Sequence, residues 1–143
     1  MINSLLLVDD EVLFHLVFED ACSLLDIALY LESIPSADIA ENMFRDWQAD
    51  PTNRPQCVFV DLNIVGSSID GIELIKRVNQ LYGNGVVIGI ISSSSDSIEQ
   101  QRAQAAGAQF WIVKSDAIEP RLEQFNSDYE GYRAKTAPFK VYR

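Results

Sequence analysis

Four apolar runs in this chain each end in a polar group able to do chemistry. Leu5-Leu6-Leu7-Val8 leads into Asp9-Asp10, Val58-Phe59-Val60 into Asp61, Ile90-Ile91 into Ser92, and Ile112-Val113 into Lys114. Three carboxylates brought together repel one another unless a cation lies among them. Magnesium is the natural guest, a hard ion that takes oxygen ligands and keeps several waters. A hydroxyl and an ammonium aimed at the same point suit the oxygens of a phosphoryl group. A carboxylate nucleophile in such a place would form an acyl phosphate. Each residue alone has a plainer role. Strand-end aspartates often form turns, and Asp9-Asp10 could cap the following helix. Ser92 opens a run of serines, and Lys114 could be a solvated lysine. His15, the only histidine, is expected to be partly exposed and not catalytic. The recurrence of suitable groups at four strand ends favours a site.

The elements that must position these groups are read from hydrophobic period. Ile2–Val8 reads as a strand. Val12-Leu13, Leu16-Val17, Ala21, Leu24 and Leu25 recur at helical spacing. Residues 27–31 read as a short strand. Pro35 fits the first turn of a helix whose apolar stripe is Ile39-Ala40, Met43-Phe44 and Trp47. That helix ends before Asp50-Pro51, because the residue before a proline disfavours the helical region. Cys57–Val60 is continuously apolar, as a strand buried on both faces should be. A helix carries Ile72, Leu74-Ile75, Val78 and Leu81 and is stopped by Gly83-Asn84-Gly85. Val86–Ile91 is a fourth strand. Ser95, Asp96 or Ser97 caps the next helix, which ends at Gly107. Gln109–Val113 is a fifth strand, and a last helix starts near Ala117. Strand–helix alternation with short connections predicts a parallel sheet covered by helices on both faces. All strand carboxyl ends then lie along one edge, where such sheets bind their ligands.

The bulk properties narrow the function. With 143 residues, 48% of them hydrophobic, the chain suits one globular domain. A net charge of −10 argues against direct nucleic-acid binding, which needs a basic footprint. The charge is uneven: no Lys or Arg precedes Arg45, whereas Arg133, Lys135, Lys140 and Arg143 crowd the end. Cys22 and Cys57 make no disulfide framework and are expected as buried thiols of a cytoplasmic protein, without a zinc cluster. No run is long enough to cross a membrane and no signal peptide is expected. A P-loop is absent from the sequence.

These segments together resemble the receiver domain of bacterial two-component response regulators. Leu5–Glu11 resembles the opening strand and acidic pair of that family, and Val58–Asn63 its phosphoacceptor strand. Ile90-Ile91-Ser92 resembles the strand ending in Thr or Ser, and Ala105–Lys114 the segment leading to its lysine. The resemblance spans roughly residues 2–125. It implies an α/β, doubly wound, flavodoxin-like (βα)5 fold with a parallel five-stranded sheet of order 2-1-3-4-5. The division expected is a receiver domain over 1–127 and a C-terminal extension, helix end or tail, over 128–143. By resemblance Asp61 is the phosphoacceptor, and Ser92 and Lys114 bind phosphoryl oxygens. Asp10, Asp61 and the backbone carbonyl of Asn63 would hold Mg2+, with Asp9 acting mainly through water. Trp111 stands where the family carries a switch aromatic. Phosphorylation would draw Ser92 toward the phosphate, turn Trp111 inward and alter the α4-β5-α5 face that binds a target.

The implied function is that of a stand-alone response regulator. Its partners would be a histidine kinase or phosphotransfer protein and a downstream protein target, with a homodimer possible. It would catalyse only its own phosphorylation and dephosphorylation. Three features depart from the family pattern. The loop after Asp61 is about two residues longer before Asp70-Gly71, Ser115 replaces the usual proline after Lys114, and Ser93 replaces a smaller residue. Two other readings stay open. One is a degenerate receiver that works as a phosphorylation-independent binding module. The other is an aspartyl-phosphate phosphatase, although the second acid such enzymes carry is Asn63 here.

Overall fold

The computed structural model describes residue 2 and residues 4–27, 30–83, 85–114 and 117–143. The order is β1 (Ser4–Val8), α1 (Val12–Leu25), β2 (Tyr30–Ile34), α2 (Ala37–Ala49), a 3-10 turn (Pro51–Asn53), β3 (Cys57–Val60) and α3 (Gly71–Tyr82). Then follow β4 (Val87–Ser92), α4 (Ser97–Ala106), β5 (Phe110–Val113), α5 (Ile118–Arg133) and β6 (Lys140–Tyr142). The sheet order is β2-β1-β3-β4-β5-β6, parallel throughout. The five expected strands thus stand in the expected 2-1-3-4-5 order, and β6 extends the sheet beyond β5.

Alternation along each strand sends side chains to two cores. Leu5, Leu7, Phe59, Ile91, Phe110 and Ile112 join α1 and α5 on one face. Leu6, Val8, Val58, Val60, Ile88, Ile90 and Trp111 join α2, α3 and α4 on the other. The first core is built on rings. Phe59 contacts Phe18, Phe110 and Phe125 with centroids 5.2–5.3 Å apart and steep interplanar angles. Gly89 makes room for this cluster, since a Cβ there would lie 2.6 Å from Cγ of Phe110. Fully burying a large apolar side chain contributes roughly 1.5–3 kcal/mol, so these rings anchor the sheet to α1 and α5.

Local signals set the helix boundaries. Ser36, Asp70 and Asp96 are N-caps whose side chains accept from Ile39, Glu73 and Ile98 N–H groups. Asp26 and Gly107 end α1 and α4 in the left-handed region.

Several expectations need correction. β2 lies at Tyr30–Ile34, later than 27–31, and residues 28 and 29 of that expectation lie outside the described ones. Pro35 precedes the Ser36 cap and so sits outside α2. In α1 the buried residues are Phe14, Phe18, Ala21 and Cys22. Val12, Leu13, Leu16, Val17 and Leu24 of the expected stripe are exposed. The helix is apolar on both sides, and ring packing on Phe59 selects which side turns inward. The stretch 128–143 holds the end of α5, and beyond it the chain returns as β6, a strand that was not expected. Thr136 and Ala137 N–H groups donate to the Gly131 carbonyl at 2.9 and 3.0 Å, turning the backbone toward β5.

Candidate phosphoacceptor site

Strand register brings the four polar strand ends together. Val8 pairs with Val60, and Asp61 N–H donates to Val8 O at 2.9 Å, which sets Asp61 beside Asp9. Val60 pairs with Ile90, and Ser92 with Val113. Lys114 N–H donates to Ser92 O at 2.8 Å, so Lys114 begins just past the β4 end. One carboxylate oxygen from each of Asp9, Asp10 and Asp61 lies within 4.8 Å of the others.

Lys114 crosses the sheet edge to reach this cluster. Its Nζ is 2.6 Å from Asp9 Oδ2, 3.5 Å from Asp61 Oδ2 and 3.2 Å from Glu11 Oε2. It also lies 4.4 Å above the Phe14 ring centroid, a cation–π contact. Asp9 has no exposed surface, and burying a carboxylate demands such a counter-charge. Burial works against the Lys114 ammonium, but the Asp9 hydrogen bond and the charges of Asp61 and Asp9 outweigh it and raise its pKa. Burial likewise pushes the Asp61 carboxyl up to about 6, with Asp9 adding to the effect and Lys114 opposing it.

The remaining partners fix positions. Asp9 Oδ1 accepts from Glu11 N–H at 2.8 Å. His15 Nε2 is hydrogen-bonded to the Asp9 carbonyl oxygen, and the ring is partly exposed, as expected. Asp10 Oδ2 accepts from Val65 N–H at 3.1 Å, which ties the long loop to the cluster. That loop is also tied to α2. Ala37 N–H donates to Ser67 Oγ at 3.0 Å, Ser68 N–H donates to Asp38 Oδ2 at 2.9 Å, and the Ser68 hydroxyl donates to Asp38 Oδ1. The Ser68 side chain, and then its backbone N–H, hold the Asp38 pKa below the usual carboxylate value. Gly71 closes the loop against the site: a Cβ there would lie 2.1 Å from the Asp61 carbonyl oxygen.

The structure brings together Asp9, Asp10, Asp61 and Lys114. Asn63 is exposed between the buried Leu62 and Ile64, and Ser92 is buried at the end of β4. Ser92 Oγ accepts from Ser94 N–H at 3.2 Å. Trp111 has no exposed surface, and its Nε1–H donates to the Ser94 carbonyl at 3.0 Å. Its ring is therefore inward in this structure. Ser115 lies outside the described residues. Glu11, Phe14 and Ser94 were missed by the sequence reading. Glu11 followed the acidic pair as a visible signal, whereas the contacts of Phe14 and Ser94 arise only on folding.

A divalent cation fits this donor set. Three carboxylates offer hard oxygen ligands, two of them partly exposed, and one ammonium offsets only part of their charge.

The fold has many counterparts among solved structures. NtrX from Brucella abortus superposes with a TM-score of 0.77 at 23% identity, over 94% of this chain and 28% of that one. The isolated NtrX receiver domain gives 0.69 at 22% identity, over 93% of this chain and 99% of that one. A response regulator receiver domain from Rhodospirillum rubrum gives 0.73 at 19%, over 88% and 92%. This chain thus spans less than a third of that NtrX chain and nearly all of the isolated receiver. No curated protein sequence matches it. The family model for the response regulator receiver domain matches residues 5–123. The chain belongs to the response regulator receiver family of two-component signalling proteins.

Proposed function

We propose that Asp61 accepts a phosphoryl group from a phosphohistidine on a kinase or phosphotransfer protein, and that the phosphorylated chain binds a protein target. The observation that carries this reading is Lys114, whose ammonium sits among Asp9, Asp61 and Glu11 at the end of β5. An Asp61 carboxylate oxygen attacks phosphorus, the phosphorus–nitrogen bond breaks with its electron pair going to nitrogen, and the histidine, protonated on its other ring nitrogen, leaves as neutral imidazole. The Lys114 ammonium and the Ser92 hydroxyl stabilise the charge carried by the transferred oxygens. Asp10, Asp61 and the Asn63 carbonyl would hold Mg2+, with Asp9 behind them. That ion supplies charge neutralisation between the carboxylates and the incoming phosphoryl group. The Asp61 pKa near 6 leaves its nucleophilic form dominant at neutral pH.

The exposed face of α1 supports a protein donor. Val12, Leu13 and Leu16 are 71, 75 and 58% exposed, and Val65, whose N–H is bonded to Asp10, is 81% exposed. A cluster of apolar residues beside a polar site marks an interaction surface. The helix bears Glu19 and Asp20 and no Lys or Arg, so the partner presents an apolar surface rimmed with Lys or Arg.

The test is intact mass. Wild type and Asp61→Asn are incubated with acetyl phosphate, with and without Mg2+. Gain of one phosphoryl group by wild type alone, and only with Mg2+, is the expected result. No gain by folded wild type would overturn the reading in favour of a phosphorylation-independent binding module.

A further inference from the structure

β6 covers the edge of β5 that carries Trp111. Phe110, Trp111 and Ile112 pair with Lys140, Val141 and Tyr142. Val141 and Phe139 pack on the same apolar cluster as Trp111. On the opposite face Tyr142 is fully buried against Phe125, with centroids 5.8 Å apart. Its hydroxyl lies 2.8 Å from that of Tyr132 and donates to Asp128 Oδ2 at 2.7 Å. Lys140 Nζ reaches the same carboxylate at 3.2 Å. The strand is therefore held at three places: the β5 ladder, the Tyr142 anchor and the Trp111 face.

The third hold leads back to the polar site through consecutive contacts. Trp111 Nε1–H donates to Ser94 O, and Ser94 N–H donates to Ser92 Oγ. Ser92 ends β4 beside the Asp61 strand.

We propose that β6 is a displaceable edge strand whose seat on β5 is controlled from the Asp61 site through Ser92, Ser94 and Trp111. This rests on Asp61 being the phosphoacceptor. When the Ser92 hydroxyl is drawn to a phosphoryl oxygen, Ser94 N–H follows it and the Ser94 carbonyl leaves Trp111. The indole N–H then has to seek another acceptor, because a buried donor without one is costly. The ring shifts, and Val141 and Phe139 lose the surface on which they lie. β6 is short and has one neighbouring strand, so its seat rests on these few holds. Its release uncovers β5 and changes the surface offered to a target.

The experiment is hydrogen exchange of the full chain, followed on peptides covering 138–143, with acetyl phosphate and Mg2+. Intact mass is read on the same samples. Phosphorylated wild type should exchange several-fold faster at 140–142, with β1, β3 and β4 unchanged. Asp61→Asn should show no response. Trp111→Phe keeps an aromatic ring but has no indole N–H to lose its acceptor, so its β6 exchange should not respond to the phosphoryl group. A confirmed phosphoryl group with unchanged β6 exchange would overturn the inference and leave the Asp61 reading standing. Absence of the phosphoryl group would overturn both, and the mass reading distinguishes the two failures. Phosphorylated Trp111→Phe with the wild-type acceleration at β6 would also overturn the coupling.

Discussion

Asp61 is held in a strained balance of charge. Burial, reinforced by Asp9, lifts its pKa from 3.8 to about 6, and Lys114 limits the rise. A carboxyl with a raised folded pKa binds its proton more tightly when folded. Its contribution to stability is complete below about pH 4 and is lost as pH rises toward 6. In the absence of a divalent cation, Asp61→Asn should therefore be more stable than wild type at pH 7.5, by about 2–3 kcal/mol. The gap should close at pH 4, as read by urea unfolding at both values. An equal gap at both would mean that the charge is not its source. Lys114 poses the converse case. Lys114→Met leaves the buried Asp9 carboxylate uncompensated and should cost about 3 kcal/mol. Adding Asp9→Asn should recover most of that loss, and a strictly additive cycle would refute the pairing. The polar groups at the four strand ends were legible because each group follows an apolar run. The identity of Lys114's nearest partners, Asp9 and Glu11, was not, since a lysine can reach several carboxylates from one strand end.

At the scale of elements, α1 holds the clearest lesson. Its residues are apolar on two sides, and helical period cannot choose between two stripes. The aromatic cluster chose Phe14 and Phe18 for the interior, leaving Val12, Leu13 and Leu16 outside. Replacing Leu13 and Leu16 with Ser should change stability by less than about 0.5 kcal/mol each, as for other surface positions. Phosphoryl uptake from acetyl phosphate should be unaltered, and uptake from a phosphohistidine protein should slow markedly. Slowing with both donors would place the effect in the site and not on the docking face. The long loop after Asp61 is similarly decided by contacts. Its Ser67 and Ser68 bind α2, and Val65 binds Asp10.

For the whole molecule, the C-terminal stretch turns an expected five-stranded sheet into one of six. Tyr142, foremost, and Lys140 hold the Asp128 pKa below its usual value, against a smaller opposing effect of burial. A carboxyl with a lowered folded pKa stabilises above its unfolded pKa, near 3.8, and loses that contribution as pH falls. Asp128→Asn should accordingly lower the melting temperature at pH 6 and make little difference at pH 3. The same penalty at both values would show that the carboxylate charge has no part in holding β6. Among the described residues no helix is long and apolar enough to cross a membrane.

The sequence by itself determined the α/β alternation, the doubly wound order by resemblance, and the polar groups at four strand ends. Those features are local: an apolar run, a cap or a strand-end side chain carries its signal within a few residues. Tertiary structure decided the inner face of α1, the inward position of Trp111 and the return of the chain as β6. Phe139, Lys140, Val141 and Tyr142 alternate as a strand should, yet so short an alternation forms a strand only where an open edge exists to pair with it. That edge is β5, and its availability depends on where α5 ends and how the Gly131 turn redirects the chain. Such outcomes arise from competition among surfaces distant in sequence, which local pattern does not encode.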